Sequence, residues 1–178
     1  MAGQRRDRHQ RRDRQGAFTS TPVAYLITFT TYGTWMHGDA RSSVDADHRV
    51  YGTPYAKPNV RRERVERAKL KHPSVVLSDV QRAIVDQAVR GVCDHREWTL
   101  YALNVRTNHV HVVVSAPAPP ERLMNSLKSW STRRMVEAGV WSAGTKAWTR
   151  HGSTRYVWTR EQLLAACRYV AEAQGDDL

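Results

Sequence analysis

The chain has 178 residues, 40% of them hydrophobic, which is enough for one folded domain with its own core. The formal net charge of +11 and the pI of about 10.3 favour a polyanionic partner, most simply a nucleic acid. No run of about 18 apolar residues occurs, which excludes a membrane-spanning helix. The N-terminus lacks the hydrophobic core of a signal peptide, and this predicts a cytoplasmic protein.

Residues 1–15 form a polar segment with six arginines and two aspartates. Because this basic tail has almost no apolar side chain to bury, we expect it to be disordered. A flexible arm of this kind adds salt-sensitive phosphate contacts, but a merely solubilising tail is an equally good interpretation. Residues 16–178 are predicted to form a single domain. Its two cysteines, Cys93 and Cys167, lie in apolar helical patterns, which favours free buried thiols in a reducing compartment.

The first half of the domain is predicted to begin with a strand and a long excursion. Residues 24–30 are rich in aromatic and β-branched side chains, which is typical of a strand. The excursion at 31–77 is long for a connection, and its stretch at 36–58 has the composition of a loop. A short basic helix is predicted at 60–70, where a solvated helical face explains the charges.

Two capping boxes mark the starts of later helices. Ser78 and Gln81 predict an amphipathic helix over 79–94, and Thr159 and Gln162 predict a last helix over 160–173. Between them we predict strands at 98–105, 108–115 and 155–158, a helix at 121–138 and a loop at 139–152. This order is typical of an α+β fold, a ferredoxin-like βαββαβ sandwich with an antiparallel sheet, plus a C-terminal helix.

The strand predicted at 108–115 carries two histidines. Side chains alternate along a strand, so His109, His111 and Val113 share one face while three other valines face the core. Two neutral imidazoles at this spacing can ligate one divalent metal ion. The alternative is a pair of satisfied surface histidines on an edge strand. A structural zinc site is a third interpretation, and it needs two more good ligands.

The last predicted helix carries a tyrosine outside its apolar face. We assign that face to Leu163, Cys167 and Val170. At roughly 100° per residue, Tyr169 lies about 200° from Cys167, so we expect it to point away from the core. Tyr156, in a predicted strand, is the other tyrosine that could act as a nucleophile, although core packing explains it better.

The chain resembles the single-tyrosine HUH transposases, which include the REP-associated tyrosine transposases, over about residues 23–174. The likeness rests on His109-Val110-His111 after Asn108, and on a last helix with a tyrosine that matches Tyr169. It implies that Tyr169 is the nucleophile and that both histidines bind metal. The family's third ligand, a glutamine or asparagine, lies four residues after the tyrosine, where this chain has Ala173. Gln174 is the expected replacement, with Glu172 as the alternative.

The resemblance implies a metal-dependent transposase and single-strand endonuclease, with Mg²⁺ or Mn²⁺ as the cofactor. Such an enzyme cleaves and rejoins single-stranded or hairpin DNA through a 5′-phosphotyrosine. Relatives include monomers and homodimers, so both assemblies stay open, as does the target DNA sequence. We expect basic side chains to contact the DNA backbone. The candidates are Arg106, Lys128, Arg133, Arg134, Arg150 and Arg155.

A non-catalytic nucleic-acid-binding module on the same ferredoxin-like fold is the competing hypothesis. The basic charge supports it, and RNA-recognition modules share this architecture. The alanine at position 173, where the family has a metal ligand, is consistent with lost catalysis. Replacing Tyr169 by phenylalanine separates the two hypotheses, because binding would survive this change and cleavage would not.

Overall fold

The computed structural model describes residues 21–34 and 60–172. These residues form four strands and four helices in the predicted order. The strands are β1 (Ala24–Thr31), β2 (Thr99–Val105), β3 (His109–Ser115) and β4 (Trp148–Val157). The helices are α1 (Val60–Ala68), α2 (Asp79–His95), α3 (Pro120–Glu137) and α4 (Arg160–Glu172).

The four strands form one sheet in the order β2-β3-β1-β4, and all neighbouring strands are antiparallel. This order results when a βαββαβ chain places its first and third strands at the centre. Strand β3 therefore lies inside the sheet, with Thr28 of β1 and Asn104 of β2 opposite His111. The predicted ferredoxin-like α+β fold is confirmed, and the alternative of histidines on an edge strand is wrong.

The first face of the sheet packs against α2 and α3. Val110, Val112 and Val114 of β3 are fully buried there beside Phe29 of β1. Helix α2 begins at the predicted capping box, in which Ser78 and Gln81 each bond the other's backbone N–H. The alternation of valines thus placed the main core correctly.

The second face of the sheet is covered in part by α4, which packs on β2 and β3. Ala166 and Val170 are buried against Val113 and Leu26. Strand β3 is therefore buried on both faces at Val113, and its histidines lie farther along the same face. The predicted capping box of α4 is half formed: Thr159 Oγ1 accepts from the Gln162 N–H, but the Gln162 side chain accepts from the N–H of residue 158.

Strand β4 is longer than predicted. The sequence indicated a loop at 139–152 and a strand at 155–158, whereas β4 already begins at Trp148. Its middle residues are exposed because β4 is an edge strand and α4 packs on the half of the sheet formed by β2 and β3. No apolar alternation therefore marks the strand in the sequence. Gly152 fits because an added Cβ would meet the Thr28 carbonyl oxygen and Met124 Sδ at 2.5 Å.

Several predictions fall outside the described residues, namely the basic tail at 1–15 and the loop at 36–58. The bounds of the domain at 16–178 also stay a prediction. No helix within 21–34 and 60–172 is long and apolar enough to cross a membrane. Cys93 is buried, Cys167 is half-buried, and both are free thiols.

Candidate active site

The two histidines of β3 form the centre of a polar site on the second face of the sheet. The ring centroids of His109 and His111 are 4.7 Å apart and the rings are nearly perpendicular. His111 is only 5% exposed, whereas His109 is half-buried. The pair lies beyond Val113 on the same face, as the alternation predicted.

A neighbouring polar group contacts the Nδ1 atom of each histidine. His109 Nδ1 lies 2.6 Å from Asn108 Oδ1, and His111 Nδ1 lies 2.7 Å from Thr28 Oγ1. Because the amide oxygen can only accept, His109 donates through Nδ1–H and its lone pair lies on Nε2. Contacts of this kind fix the ring orientation of metal-binding histidines. The Thr28 hydroxyl can donate or accept, so the contact at His111 is compatible with either tautomer. The donor chemistry of His109 therefore fits a divalent metal bound through Nε2, and that of His111 is compatible with it.

Tyr169 lies beside the histidines in the same chain. Its ring centroid is 5.6 Å from that of His111, in an edge-to-face arrangement, and the side chain is 44% exposed. Tyr169 is exposed, as predicted, but its ring still contacts the sheet, because the buried residues of α4 are Ala166 and Val170 while Cys167 is only half-buried. At 100° per residue, Tyr169 lies only about 60° from Ala166, on the flank of the packed face.

Asn104 is a residue next to the histidine pair that the sequence analysis missed. It is the direct cross-strand neighbour of His111. Its Nδ2 donates to the carbonyl oxygen of Val170, 2.9 Å away, in the last turn of α4. Carbonyls in that turn need partners outside the helix. One side chain of β2, the neighbour of the histidine strand, thus bonds the residue after Tyr169, and the only signal in the sequence was an amide in a mainly apolar strand.

The predicted third metal ligand is not among the described side chains. Within 21–34 and 60–172, no group of three or more His, Cys, Asp and Glu side chains could hold a metal ion. Glu172, the alternative ligand, therefore does not complete a site with His109 and His111. Gln174 lies outside the described residues.

The predicted DNA contacts divide into different environments. Arg155 is exposed on the histidine face, opposite Leu26, and Arg106 is half-buried in the turn before β3. Arg134 is exposed and pairs with Glu137 at 2.9 Å. Arg133 and Arg150 are exposed and line a cavity between α3 and β4.

Lys128 is the exception, because its side chain is only 8% exposed. Its Nζ donates to the carbonyl oxygens of Thr149 and His151, at 3.0 and 3.1 Å, and lies 5.6 Å from the centre of the Phe29 ring. Burial lowers the pKa of Lys128 to about 8. This environment argues against a direct contact between Lys128 and a phosphate.

Tyr156 lies on the other face of the sheet from the histidines. It pairs with Tyr25, three residues from Thr28 along β1, so the two tyrosines point to the opposite face. Tyr156 contacts Tyr25 edge-to-face and stacks on Trp158 at 5.6 Å between centroids. It is 49% exposed rather than packed in the core, and it lies on the opposite face of the sheet from His109 and His111.

Comparisons place the chain among known proteins. The model of the IS200-like transposase family matches residues 65–172, a range that contains both histidines and Tyr169. A REP-associated tyrosine transposase bound to a REP hairpin has 11% identity and a TM-score of 0.48, covering 96% of this chain and 70% of that one. A candidate transposase from Deinococcus radiodurans R1 has 16% identity and a TM-score of 0.47, covering 91% and 98%. No curated protein matches.

Proposed function

Because the chain belongs to the IS200-like transposase family, we propose that it cleaves and rejoins single-stranded or hairpin DNA through a 5′-phosphotyrosine on Tyr169. The family makes the chain a transposase; the strand type, the nucleophile and the metal are our proposal. The observation that carries it is the 5.6 Å separation between the rings of Tyr169 and His111 within one chain. A tyrosine that served only packing would be buried among apolar side chains. Tyr169 is instead half-exposed and contacts the histidine pair.

The proposed step is a phosphoryl transfer to the phenol oxygen of Tyr169. The Oη–P bond forms, the bond from phosphorus to the 3′ oxygen breaks, and the phenolic proton leaves while the 3′ oxygen gains one. The product is a 5′-phosphotyrosine and a free 3′-hydroxyl. Because the phosphodiester bond is exchanged rather than hydrolysed, a 3′-hydroxyl can attack the adduct and rejoin the DNA without ATP.

His109 and His111 would hold the divalent metal, Mg²⁺ or Mn²⁺, with Gln174 as the proposed third ligand. When bound, the ion neutralises charge on the non-bridging oxygens of the scissile phosphate. Oxygen ligands and waters suit these ions, so two imidazoles alone are an incomplete set. Thr28 and Asn108 support the assignment because they hold the Nδ1 side of each ring.

The test is the formation of a protein–DNA adduct that survives denaturation. End-labelled hairpin DNA from the flanks of the protein's own gene is incubated with Mn²⁺ or Mg²⁺ and with the wild type, Tyr169→Phe, Tyr156→Phe or His109→Ala. We expect an adduct with the wild type and Tyr156→Phe, and none with the other two. Loss of the adduct only in Tyr156→Phe would contradict the assignment of the nucleophile. Tight DNA binding without an adduct, across several flanking sequences, would favour the non-catalytic module.

A further inference from the structure

A groove runs between α3 and the start of β4, on the other side of the edge strand from the histidines. Its volume is about 890 Å³, within the range of sites that hold ligands. Arg133 lies on the α3 wall, while Lys146 and Arg150 lie on the opposite wall. We call this feature the α3–β4 groove.

The charge of the α3–β4 groove has one sign. Three exposed cations line it, and none of its described lining residues is acidic. Neutral donors add to them, namely Asn125, Ser129 and Thr145. A second hollow of about 530 Å³ shares Asn125, Ser129 and Arg133 with the groove and adds two arginines and one glutamate. The positive surface therefore continues along α3 for several turns, which suits a polyanion rather than one small anion.

One residue connects the groove to the histidine site. Thr149 lines the groove, and its Oγ1 lies 3.0 Å from Thr30 Oγ1 of β1. Thr30 is in turn the direct cross-strand neighbour of His109. An extended chain that starts at the histidines can therefore pass over Thr149 at the edge of β4 and enter the groove.

We propose that the α3–β4 groove binds the phosphodiester backbone of the substrate DNA next to the scissile phosphate. The proposal rests on the proposed function, because it takes the histidine site as the point of cleavage. Arginine side chains neutralise successive phosphates, while the hydroxyl and amide side chains donate to phosphate oxygens. The groove thus supplies affinity and direction to the strand but no reading of its sequence.

Two neighbouring arginines of α3 provide a matched test. Arg133 lines the groove, whereas Arg134 is also exposed but pairs with Glu137 outside it. The affinity for the labelled hairpin DNA is measured without divalent metal, over a range of salt concentrations. The proteins are the wild type, Arg133→Gln, Arg134→Gln and the double variant Arg133→Gln/Arg150→Gln.

We expect the double variant to bind about tenfold more weakly and to lose about 2 from the slope of log affinity against log salt, while Arg134→Gln stays near the wild type. A hairpin of scrambled sequence would show the same changes. Equal weakening by Arg133→Gln and Arg134→Gln, or unchanged binding by the double variant, would overturn the proposal. The adduct assay tests the proposed function separately. A wild-type adduct on Tyr169 would support that function whatever the groove variants do, and its absence would contradict the function without bearing on the measured affinity of the groove.

Discussion

Thr28 and Asn108 determine how the two histidines present their rings. Each side chain contacts an Nδ1 atom, which holds the imidazole in one orientation with Nε2 on the opposite edge of the ring. Thr28 has this role because β1 pairs with β3 in a register that brings it opposite His111. A residue 83 positions away in the sequence thus orients the ring of His111, which the sequence motif identifies without this partner.

Replacing Thr28 by valine tests this role. Valine keeps the shape but removes the hydroxyl, so we expect the affinity for Mn²⁺ to fall at least about tenfold. Titration followed by the electron paramagnetic resonance of free Mn²⁺ measures it. Thr28→Ser keeps the hydroxyl and is expected to bind Mn²⁺ like the wild type. Equal affinities in wild type and Thr28→Val would show that the Thr28 contact does not support a metal ligand.

The buried ammonium of Lys128 predicts a pH dependence of stability. Burial lowers its pKa from 10.5 to about 8 in the folded protein, so the folded state releases this proton before the unfolded state does. The free energy of unfolding therefore rises with pH between about 8 and 10.5, by about 1 kcal/mol from pH 8 to pH 9. Below pH 8 both states are protonated and this gain is lost.

Urea unfolding at pH 8 and pH 9 measures the effect, with Lys128→Met as the reference. The variant shares every other titrating group, so the difference between the two proteins isolates Lys128. We expect the wild type to gain about 1 kcal/mol on the variant over this interval. Equal changes in the free energy of unfolding of both proteins would show that the pKa of Lys128 in the folded protein is not near 8.

At the scale of elements, the attachment of α4 to the sheet decides where Tyr169 lies. Apolar contacts of Ala166 and Val170 hold the helix on the second face, but apolar packing tolerates sliding. The hydrogen bond from Asn104 Nδ2 to the Val170 carbonyl fixes the last turn at one position along β2. Under the proposed function, this hydrogen bond would hold Tyr169 at one position beside His111.

Asn104→Leu removes that hydrogen bond while keeping a similar volume. We expect the rate of adduct formation to fall at least about fivefold, the worth of about 1 kcal/mol, because Tyr169 loses its fixed position. Mn²⁺ affinity should stay within about twofold of the wild type. Thr99→Val, an exposed change on the same strand, serves as the control. A parallel loss of metal binding and adduct in Asn104→Leu would indicate a general disturbance of β3 instead.

The sequence predicted elements with strong local signals and missed those defined by distant contacts. The Ser78 capping box and the valine alternation of β3 are local, so α2 and the histidine face were correct. The first half of β4 has polar exposed side chains and depends on pairing with β1, which no local pattern reveals. Ala166 was overlooked as the centre of a buried stripe because a small side chain gives little apolar signal.

The site itself was predictable only in part. The His109-Val110-His111 pattern suggested a metal, but nothing in the spacing brings Tyr169 to a pair of histidines 58 residues earlier; only the family likeness did. Lys128 was predicted as a phosphate contact because a lysine on a basic helix is usually exposed. Lys128 is buried because its ammonium donates to carbonyl oxygens of β4. Strand β4 comes next to Lys128 only in the folded protein, so no sign of this contact exists in the sequence.

At the scale of the whole molecule, β4 separates two surfaces that face DNA under the proposed function. On the histidine face, Ser153 and Arg155 of β4 are exposed beside the site, since α4 packs on the β2 and β3 half of the sheet. On the other side of the same strand lies the α3–β4 groove. Under the proposed function, the DNA strand would bend over the edge strand β4 as it passes from the histidine face to the α3–β4 groove.

The position of Tyr169 also predicts how active sites are assembled in solution. Tyr169 meets His111 within one chain, so each molecule holds a nucleophile and both histidines of its own. Mixing Tyr169→Phe with His109→Ala tests this, because neither protein alone has a complete site. We expect no adduct from the mixture, while either variant mixed equally with wild type should give about half of the wild-type adduct at the same total protein. An adduct on the His109→Ala chain would show instead that α4 serves the histidines of a second copy, and the contact between Asn104 and Val170 would then have to form between two chains.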